Sequence, residues 1–448
     1  MRIAGLYPQK VNRGPHREIE FLEPLGLEYV LAQVADQHEV KLFTLFGKTE
    51  RQVVQEIIDY HPQVLAVSAM TPQIKLGLKM AGEVKRKSPE IISIFGGYHP
   101  TAIPEIIFKE EVDLVLQNEG ERRFAEAINH PKKIRDLTNV AWKDKMGPIC
   151  REGVKDRITD LDSLADPIRP DFLEQLRDHG HRYPAALIQT GMASVSYSRG
   201  CLFNCAFCSS PAMYGKGITY RSVGRVIAEM QKLNQERGIN SFFFTDLNFT
   251  ANPDKTKELC QGIINSGMQI YWECLSNIAT ADSPLLKTMR QAGCRKIGWG
   301  IESLNPQVVQ AMGKRGLDKT YEVLQSSEDV GIVNTGFYII GHPSETEQDI
   351  LRNTRALDNL PIHRLRVTVY TPLPGSRSYE ETNPKNSDFD LYDTTHLVFN
   401  HPTLFQNDID RLRKKITRDF YASPAYKARV THLVKEFPEY AEVFNPKP

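Results

Sequence analysis

The stretch that decides the fold runs from Ala193 to Cys208 and reads ASVSYSRGCLFNCAFC. Its first half is a short apolar run with small polar residues interleaved, the pattern of a strand. Its second half sets Cys201, Cys205 and Cys208 in the spacing C-x3-C-x2-C. Active sites of βα barrels lie on the loops that follow the C-terminal ends of their strands. Three thiolates on one such loop can bind three irons of a four-iron cluster. The fourth iron then lacks a protein ligand, as in an open catalytic metal site. The competing reading is structural zinc, which takes four protein ligands, often as two separated pairs. No fourth Cys or His lies within the motif. Cys150, Cys260, Cys274 and Cys294 are scattered singly. Cys260 and Cys294 fall in or near helical patterns and Cys274 on a strand, so they read as buried small residues.

Downstream, strand-like runs SFFFTD, IYWECLS, KIGWGI, NTGFYIIG and RLRVTVYTP follow the first. Helical stretches separate most of them, for example from Ser222 and from Ser344. Six strands with outer helices predict an open (β/α)6 barrel over 191–382 rather than a closed eight-stranded one. Pro372-Leu373-Pro374-Gly375 ends the sixth strand. Residues 383–448 read as a short helical C-terminal region, its clearest helix starting at Asp408.

Upstream, apolar strands begin near Arg2, Glu39, Gln63, Ile91 and Val112, with helical patterns from Leu25, Arg51 and Glu121. The alternation predicts a doubly wound, Rossmann-like parallel α/β sheet over 1–135. Residues 136–190 read as a hairpin around Lys145–Pro148 and a linker with DPIRPD at its centre. The whole chain is thus an α/β protein in two parts with a helical tail.

Composition narrows the class. The 448 residues are 41% hydrophobic and 25% charged, as in globular proteins. Lys+Arg is 56 against Asp+Glu 55, so charge gives no argument for nucleic acid or a membrane surface as partner. No apolar run approaches the roughly 20 residues of a membrane span. The N-terminus lacks a signal-peptide core, and seven cysteines are too sparse for a disulfide scaffold, so a reducing cytoplasm is expected.

The cysteine motif, with Phe207 before its third cysteine, resembles that of the radical S-adenosylmethionine (SAM) superfamily. The resemblance implies a 4Fe-4S cluster on Cys201, Cys205 and Cys208. SAM would chelate the open iron and be cleaved to methionine and a 5′-deoxyadenosyl radical. Further segments match in order. Asp246 stands where the superfamily has a polar residue near the SAM amino group. Gly300-Ile301-Glu302-Ser303 matches the G-I-E-S segment and implies Glu302 as a SAM contact. The segment around Gly341 resembles the fifth-strand segment near adenine, with Phe207 by the same base.

The N-terminal part resembles the cobalamin-binding domain that precedes the barrel in one subgroup. The resembling segments are Pro24–Leu27, Ser68–Pro72, Gly96–Thr101 and Glu119–Glu121, each at a strand's C-terminal end or a helix start. Gly96 and Gly97 permit close backbone approach. Ser68 can donate to a polar ligand tail, and Glu119-Gly120-Glu121 suits a helix start. The D-x-H-x-x-G motif that supplies a cobalt-binding histidine elsewhere is absent. His16 and His38 lie in no such context, and His99, though a motif position, is not an obvious ligand. The lower axial face of cobalt is expected near Met70 and Thr71. This subgroup methylates unactivated carbons, or closes a ring in bacteriochlorophyll synthesis. The resemblance therefore implies methyl transfer to a small molecule or a lipid or natural-product precursor, with cyclisation, oxidation or rearrangement as the alternative and a non-catalytic cobalamin or cluster sensor as a third reading. It also implies a reductant such as flavodoxin or ferredoxin. Tyr370, Tyr379, Tyr392, Phe399 and Phe405 could line an apolar pocket or fill a helical core. Arg364, Arg366 and Arg377 could meet an anionic substrate or lie solvated.

Overall fold

The computed structural model describes residues 1–10, 12–13, 19–20, 23–144, 147–151, 157–169, 173, 192–384 and 386–444. His16, Lys145 and most of the 170–190 part of the expected linker lie outside them.

The first sheet holds β1 (Arg2–Tyr7), β2 (Glu39–Thr44), β3 (Val64–Ser68), β4 (Ile92–Gly96), β5 (Leu114–Leu116), β6 (Val140–Asp144) and β7 (Gly147–Arg151). Their order is β2-β1-β3-β4-β5-β6-β7. The first five are parallel and the last two pair antiparallel. The parallel order 2-1-3-4-5 is a doubly wound arrangement, which opens a ligand crevice where the order reverses. Both faces are covered. Val53 and Ile57 of α2 (Glu50–Tyr60) and Met80 and Val84 of α3 (Ile74–Lys87) pack on Leu6, Val67 and Phe95. Leu27 and Leu31 of α1 (Leu25–Ala32) and Phe124 and Ile128 of α5 (Glu121–Asn129) pack on Ile3, Ala66 and Ile94. Thr49 fixes the start of α2 with a capping box, its backbone N–H donating to Gln52 Oε1 at 2.9 Å.

The hairpin expected near Lys145–Pro148 belongs to this sheet. It pairs on β5 and so covers an edge that would otherwise be open. The sheet therefore extends past the expected boundary at residue 135.

The second sheet holds β8 (Met192–Val195), β11 (Ser241–Phe244), β12 (Tyr271–Ser276), β13 (Cys294–Glu302), β14 (Val333–Ile340) and β15 (Arg364–Val369), in that order. All neighbouring pairs are parallel. The ends β8 and β15 do not pair, so the barrel is open with six strands. The core between its strands and the outer helices is packed with Phe242, Phe244, Trp272, Trp299 and Tyr338, all 2% exposed or less. Between β8 and β11 a small ribbon forms from β9 (Ser198–Cys201) and β10 (Gly217–Tyr220). Cys260 lies in a helix, Cys274 in β12, and Cys294 starts β13; all three are buried.

Both open edges of the barrel are protected by side chains. At β15, Leu365 N–H donates to Tyr421 Oη at 3.0 Å from α14 (Gln406–Ala422). At β8, Ser194 N–H donates to the Glu23 carboxylate of the N-terminal part. Glu23 is one of three buried acids gathered by Arg169, the arginine of DPIRPD. Arg169 lies 2.7 Å from Glu23 and 3.5 Å from Glu28, and also bonds Glu229. The Arg169 side chain is 11% exposed and the acids 5% or less. Removing one partner of such a buried ion set costs about 3–5 kcal/mol, because the remaining charges stay buried and uncompensated. Arg169→Met should therefore lower the unfolding free energy by about that amount in urea titration. An unchanged midpoint would show that this seam holds nothing.

Candidate active site

The three cysteines follow directly from β9. Cys201 ends that strand, and Gly200 before it adopts φ +91°. A Cβ on Gly200 would lie 2.3 Å from Gly217 O across the ribbon, so only glycine fits. The loop is pinned at its far side. Ala206 N–H donates to Met312 O at 2.9 Å, and Ser378 N–H to Ala206 O at 2.9 Å. The sulfurs already accept hydrogen bonds of the kind a thiolate or cluster ligand needs. Phe203 N–H reaches Cys201 Sγ at 3.4 Å, and Ser210 N–H reaches Cys208 Sγ at 3.4 Å. Burial raises the Cys201 thiol and pushes Cys205 up to about 11, despite the pull of the Lys314 ammonium. Binding to a metal centre is what would hold such sulfurs as thiolates. A three-thiolate cluster places one sulfur on each of three irons, so the sulfurs need not converge on a point. Among the described residues, no three His, Cys, Asp or Glu side chains converge on a single ion.

Lys314 escaped the sequence reading. It follows α10 (Pro306–Ala311) in Met312-Gly313-Lys314-Arg315-Gly316, and its Nζ lies 3.2 Å from Glu302 Oε1. Burial alone would lower Lys314, but the Glu302 carboxylate and the Cys205 sulfur outweigh it and raise it. Glu302 ends β13 with φ +63°, a left-handed conformation that a non-glycine residue adopts at a cost. A Cβ on Gly300 would meet Glu302 Oε1 at 2.6 Å and Lys314 Nζ at 2.7 Å. The glycine of G-I-E-S thus leaves room for a buried ion pair beside the cysteine loop. The signal in the sequence was a lysine flanked by glycines twelve residues after Glu302.

Asp246 lies two residues beyond β11 and is 1% exposed. Its carboxylate accepts from Tyr197 N–H at 3.0 Å and from Ser198 Oγ. It therefore grips the start of the ribbon that carries Cys201. Burial raises it to about 6 in spite of those donors.

Gly341 follows β14 with φ +79°, and a Cβ there would approach Ile409 Cδ1 at 3.0 Å. Beside it stands an aromatic wall. Tyr370 meets Phe207 at 6.5 Å, His342 at 4.9 Å and Phe399 at 6.1 Å between ring centroids. Tyr370 and Phe399 are buried in one core cluster with Val308 of α10, Met312 and Ile339. Phe405 is 76% exposed and takes no part.

The N-terminal residues gather at the ends of β3 and β4. Ser68 pairs with Gly96, and Ala69 N–H donates to Gly96 O at 3.0 Å. Gly97 has φ +100°, and a Cβ would lie 2.9 Å from Ala69 O and 3.2 Å from Ser68 Oγ. Met70 is half-buried beside Thr71. His99 is fully buried; its Nδ1 lies 3.3 Å from Thr71 Oγ1 and its Nε2 has no partner. Burial lowers it to about 4, so it is neutral at pH 7. A cradle that only glycine fits and an orphaned buried nitrogen suit a ligand approaching this crevice. Phe389 of the C-terminal region packs edge-on against His99 at 4.5 Å. Glu119 and Glu121 face elsewhere. Both carboxylates bond Arg199, and Glu119 Oε2 also accepts Ile158 N–H at 2.8 Å.

The two domains pack together beside these residues. α6 (Ser210–Tyr214) follows Cys208 and lies against the segments that follow β4 and β5 of the first sheet. Asn118 Nδ2 donates to Ala212 O at 2.9 Å, and Tyr98 contacts Tyr214 edge-on at 6.2 Å. A Cβ on Gly375 would meet Ala212 Cβ at 2.8 Å and Ala102 Cβ at 3.1 Å, so three segments converge there.

An open six-stranded barrel with a three-cysteine loop at its mouth, docked on a doubly wound sheet, defines a two-domain radical enzyme. Residues 195–357 match the radical SAM superfamily, and residues 20–128 match the B12 binding domain. The chain belongs to the radical SAM superfamily, in the group whose barrel follows a B12-binding domain. Its cofactors are accordingly a 4Fe-4S cluster, SAM and cobalamin. The chain is 28% identical to an uncharacterised methyltransferase of Pyrococcus horikoshii, covering 90% of this chain and 88% of the relative. It is 24% identical to an anaerobic magnesium-protoporphyrin IX monomethyl ester cyclase of Rubrivivax gelatinosus, covering 77% of this chain but 62% of the relative. The structure of the cobalamin-dependent SAM radical enzyme OxsB with aqua-cobalamin shares the fold, with a TM-score of 0.74. That match has 14% identity and covers 100% of this chain and 73% of the other. Radical SAM enzymes act on small molecules and need a reductant. Among the described residues, no helix is long and apolar enough to cross a membrane.

The raised Asp246 carboxyl makes a pH prediction. Its folded value of about 6 lies above its ordinary 3.8, so the folded state holds the proton more tightly. That stabilisation is full below about pH 4 and lost as pH rises through about 6, a change of about 3 kcal/mol. In metal-free protein, Asp246→Asn should lack this part of the stability-versus-pH curve. Parallel curves for the two proteins between pH 4 and 7 would contradict the assignment.

Proposed function

We propose that the chain transfers a methyl group from SAM to an unactivated carbon of a small molecule. The observation that carries this reading is the docking of α6, which follows Cys208, on the segments after β4 and β5 of the first sheet. With that packing, the groups held by the two domains would face each other. The methyltransferase name of the Pyrococcus horikoshii relative supports methyl transfer as the outcome.

In this reading Cys201, Cys205 and Cys208 hold the cluster. Glu302, Gly341 and Phe207 form the SAM site, with Lys314 as its fixed positive charge for a carboxylate. Asp246 keeps the cysteine loop in place through Tyr197 and Ser198 rather than by reaching SAM. Ser68, Met70, Thr71, Gly96, Gly97 and His99 form the cobalamin crevice, with Phe389 closing its side. When bound, the reduced cluster supplies the electron that cleaves SAM to a 5′-deoxyadenosyl radical, and cobalamin supplies a methyl carrier. The chain's own part is positional. The Glu302–Lys314 pair and the aromatic wall orient and desolvate the SAM side. The contacts of Asn118 and Tyr98 with α6 close the opening toward the first sheet. Leu202, 62% exposed on the cysteine loop, offers a contact to a reductant such as flavodoxin or ferredoxin. The cytoplasm, which keeps thiols reduced, suits these cysteines.

Anaerobic turnover should yield 5′-deoxyadenosine and S-adenosylhomocysteine together. Deoxyadenosine without homocysteine product would favour the second reading, cyclisation or oxidation, which the Rubrivivax gelatinosus relative's name supports. Alanine at any one of the three cysteines should abolish deoxyadenosine formation. Lys314→Met should raise the SAM concentration for half-saturation about tenfold, the worth of one charge-assisted contact. An unchanged value would remove Lys314 from the SAM site.

A further inference from the structure

The Glu119-Gly120-Glu121 segment sits at the crevice end of the first domain, where a contact with the corrinoid would be expected. Its carboxylates point the other way. Arg199, two residues before Cys201, places Nη1 2.9 Å from Glu119 Oε1 and 2.7 Å from Glu121 Oε1. The three side chains are 11%, 2% and 4% exposed. The guanidinium also lies over the Tyr29 ring of α1, 5.1 Å from its centroid. The other oxygen of Glu119 accepts Ile158 N–H at 2.8 Å, so both of its oxygens are engaged. The backbone around Arg199 is fixed as well. Arg157 donates to Arg199 O and, at 3.0 Å, to Lys216 O. The following Gly200 has no room for a Cβ, with Arg157 Nη2 at 2.7 Å from that position.

The cation that begins the cysteine loop is thus neutralised by carboxylates from the other domain. Ordering a buried guanidinium by two charge-assisted bonds fixes the strand that carries it. We propose that Arg199, held by Glu119 and Glu121, is a positioning residue for the cluster loop, and that the E-G-E segment serves the cluster rather than the corrinoid. Cobalamin-domain and cluster-loop geometry are then joined through one ion set. This rests on the three cysteines being cluster ligands. Wild-type protein that takes up no iron would fail that reading and leave the latch a structural contact only.

The test uses the full chain, anaerobically reconstituted with iron, sulfide and hydroxocobalamin. The variants are Glu121→Gln, Glu119→Gln with Glu121→Gln, and Arg199→Lys. Corrinoid per chain is read from absorbance. The reduced cluster is read by electron paramagnetic resonance with and without SAM. Glu121→Gln leaves Glu119 to neutralise Arg199, so it is the variant that decides if the double variant fails to fold. The expected result is corrinoid binding within about twofold of wild type. The cluster signal or its SAM-induced shift should be altered, most in the double variant and least in Arg199→Lys, which keeps the charge. The double variant, which strips Arg199 of both charge partners, should lower SAM affinity about tenfold, read from the SAM dependence of the cluster signal. Corrinoid loss with an unchanged cluster signal would return the segment to the cobalamin site and overturn the proposal. Unchanged behaviour in both readouts, or equal loss of both in Glu121→Gln, would overturn it too.

Discussion

A buried guanidinium must find its counter-charge inside the protein, because water cannot supply it. Arg199 finds two, from Glu119 and Glu121, and they belong to the other sheet. Arg169 does the same one layer away with Glu23, Glu28 and Glu229. These ion sets dictate how the two domains sit. Sliding one sheet against the other would strand several charges at once. Tyr29 lies within reach of both Arg199 and Arg221, so even the ring between them is shared. The relative placement of the crevice and the cysteine loop therefore follows from electrostatics, and the chemistry depends on that placement.

Within the barrel the same economy of space recurs. Gly200, Gly300 and Gly341 each stand where a Cβ would meet a neighbour. The first lets the ribbon reach Cys201, the second admits the Glu302–Lys314 pair, and the third turns the chain against α14. Each glycine lies at a strand end on the mouth side, where βα barrels carry their function. Asp246 belongs to this group by effect: burial raises its carboxyl, and it holds the loop through Tyr197 and Ser198.

Much of this was legible in the sequence for a local reason. Strands of three to nine residues announce themselves by apolar runs, and the cysteine spacing and G-I-E-S segment are contiguous. The six-stranded open barrel and the doubly wound sheet followed from that alternation. What escaped depends on partners far away in the chain. Arg199 is eighty residues from Glu119, so neither the arginine nor the acids revealed their pairing. Lys314 is an unremarkable basic residue until β13 brings Glu302 beside it. The hairpin around Lys145–Pro148 is legible as a hairpin but not as part of the first sheet, because only the free edge of β5 explains why it pairs there. The position of Asp246 at a strand end is local, whereas its donors, Tyr197 and Ser198, lie almost fifty residues away at the start of the cysteine ribbon.

The central claim is that cluster and cobalamin face one common opening. The most direct measurement loads the protein with both, reduces the cobalt to Co(II), and records its electron paramagnetic resonance signal with the cluster oxidised and then reduced. Two unpaired spins at one opening should broaden the cobalt signal and speed its relaxation when the cluster is reduced. A cobalt signal unchanged by cluster reduction would contradict the account.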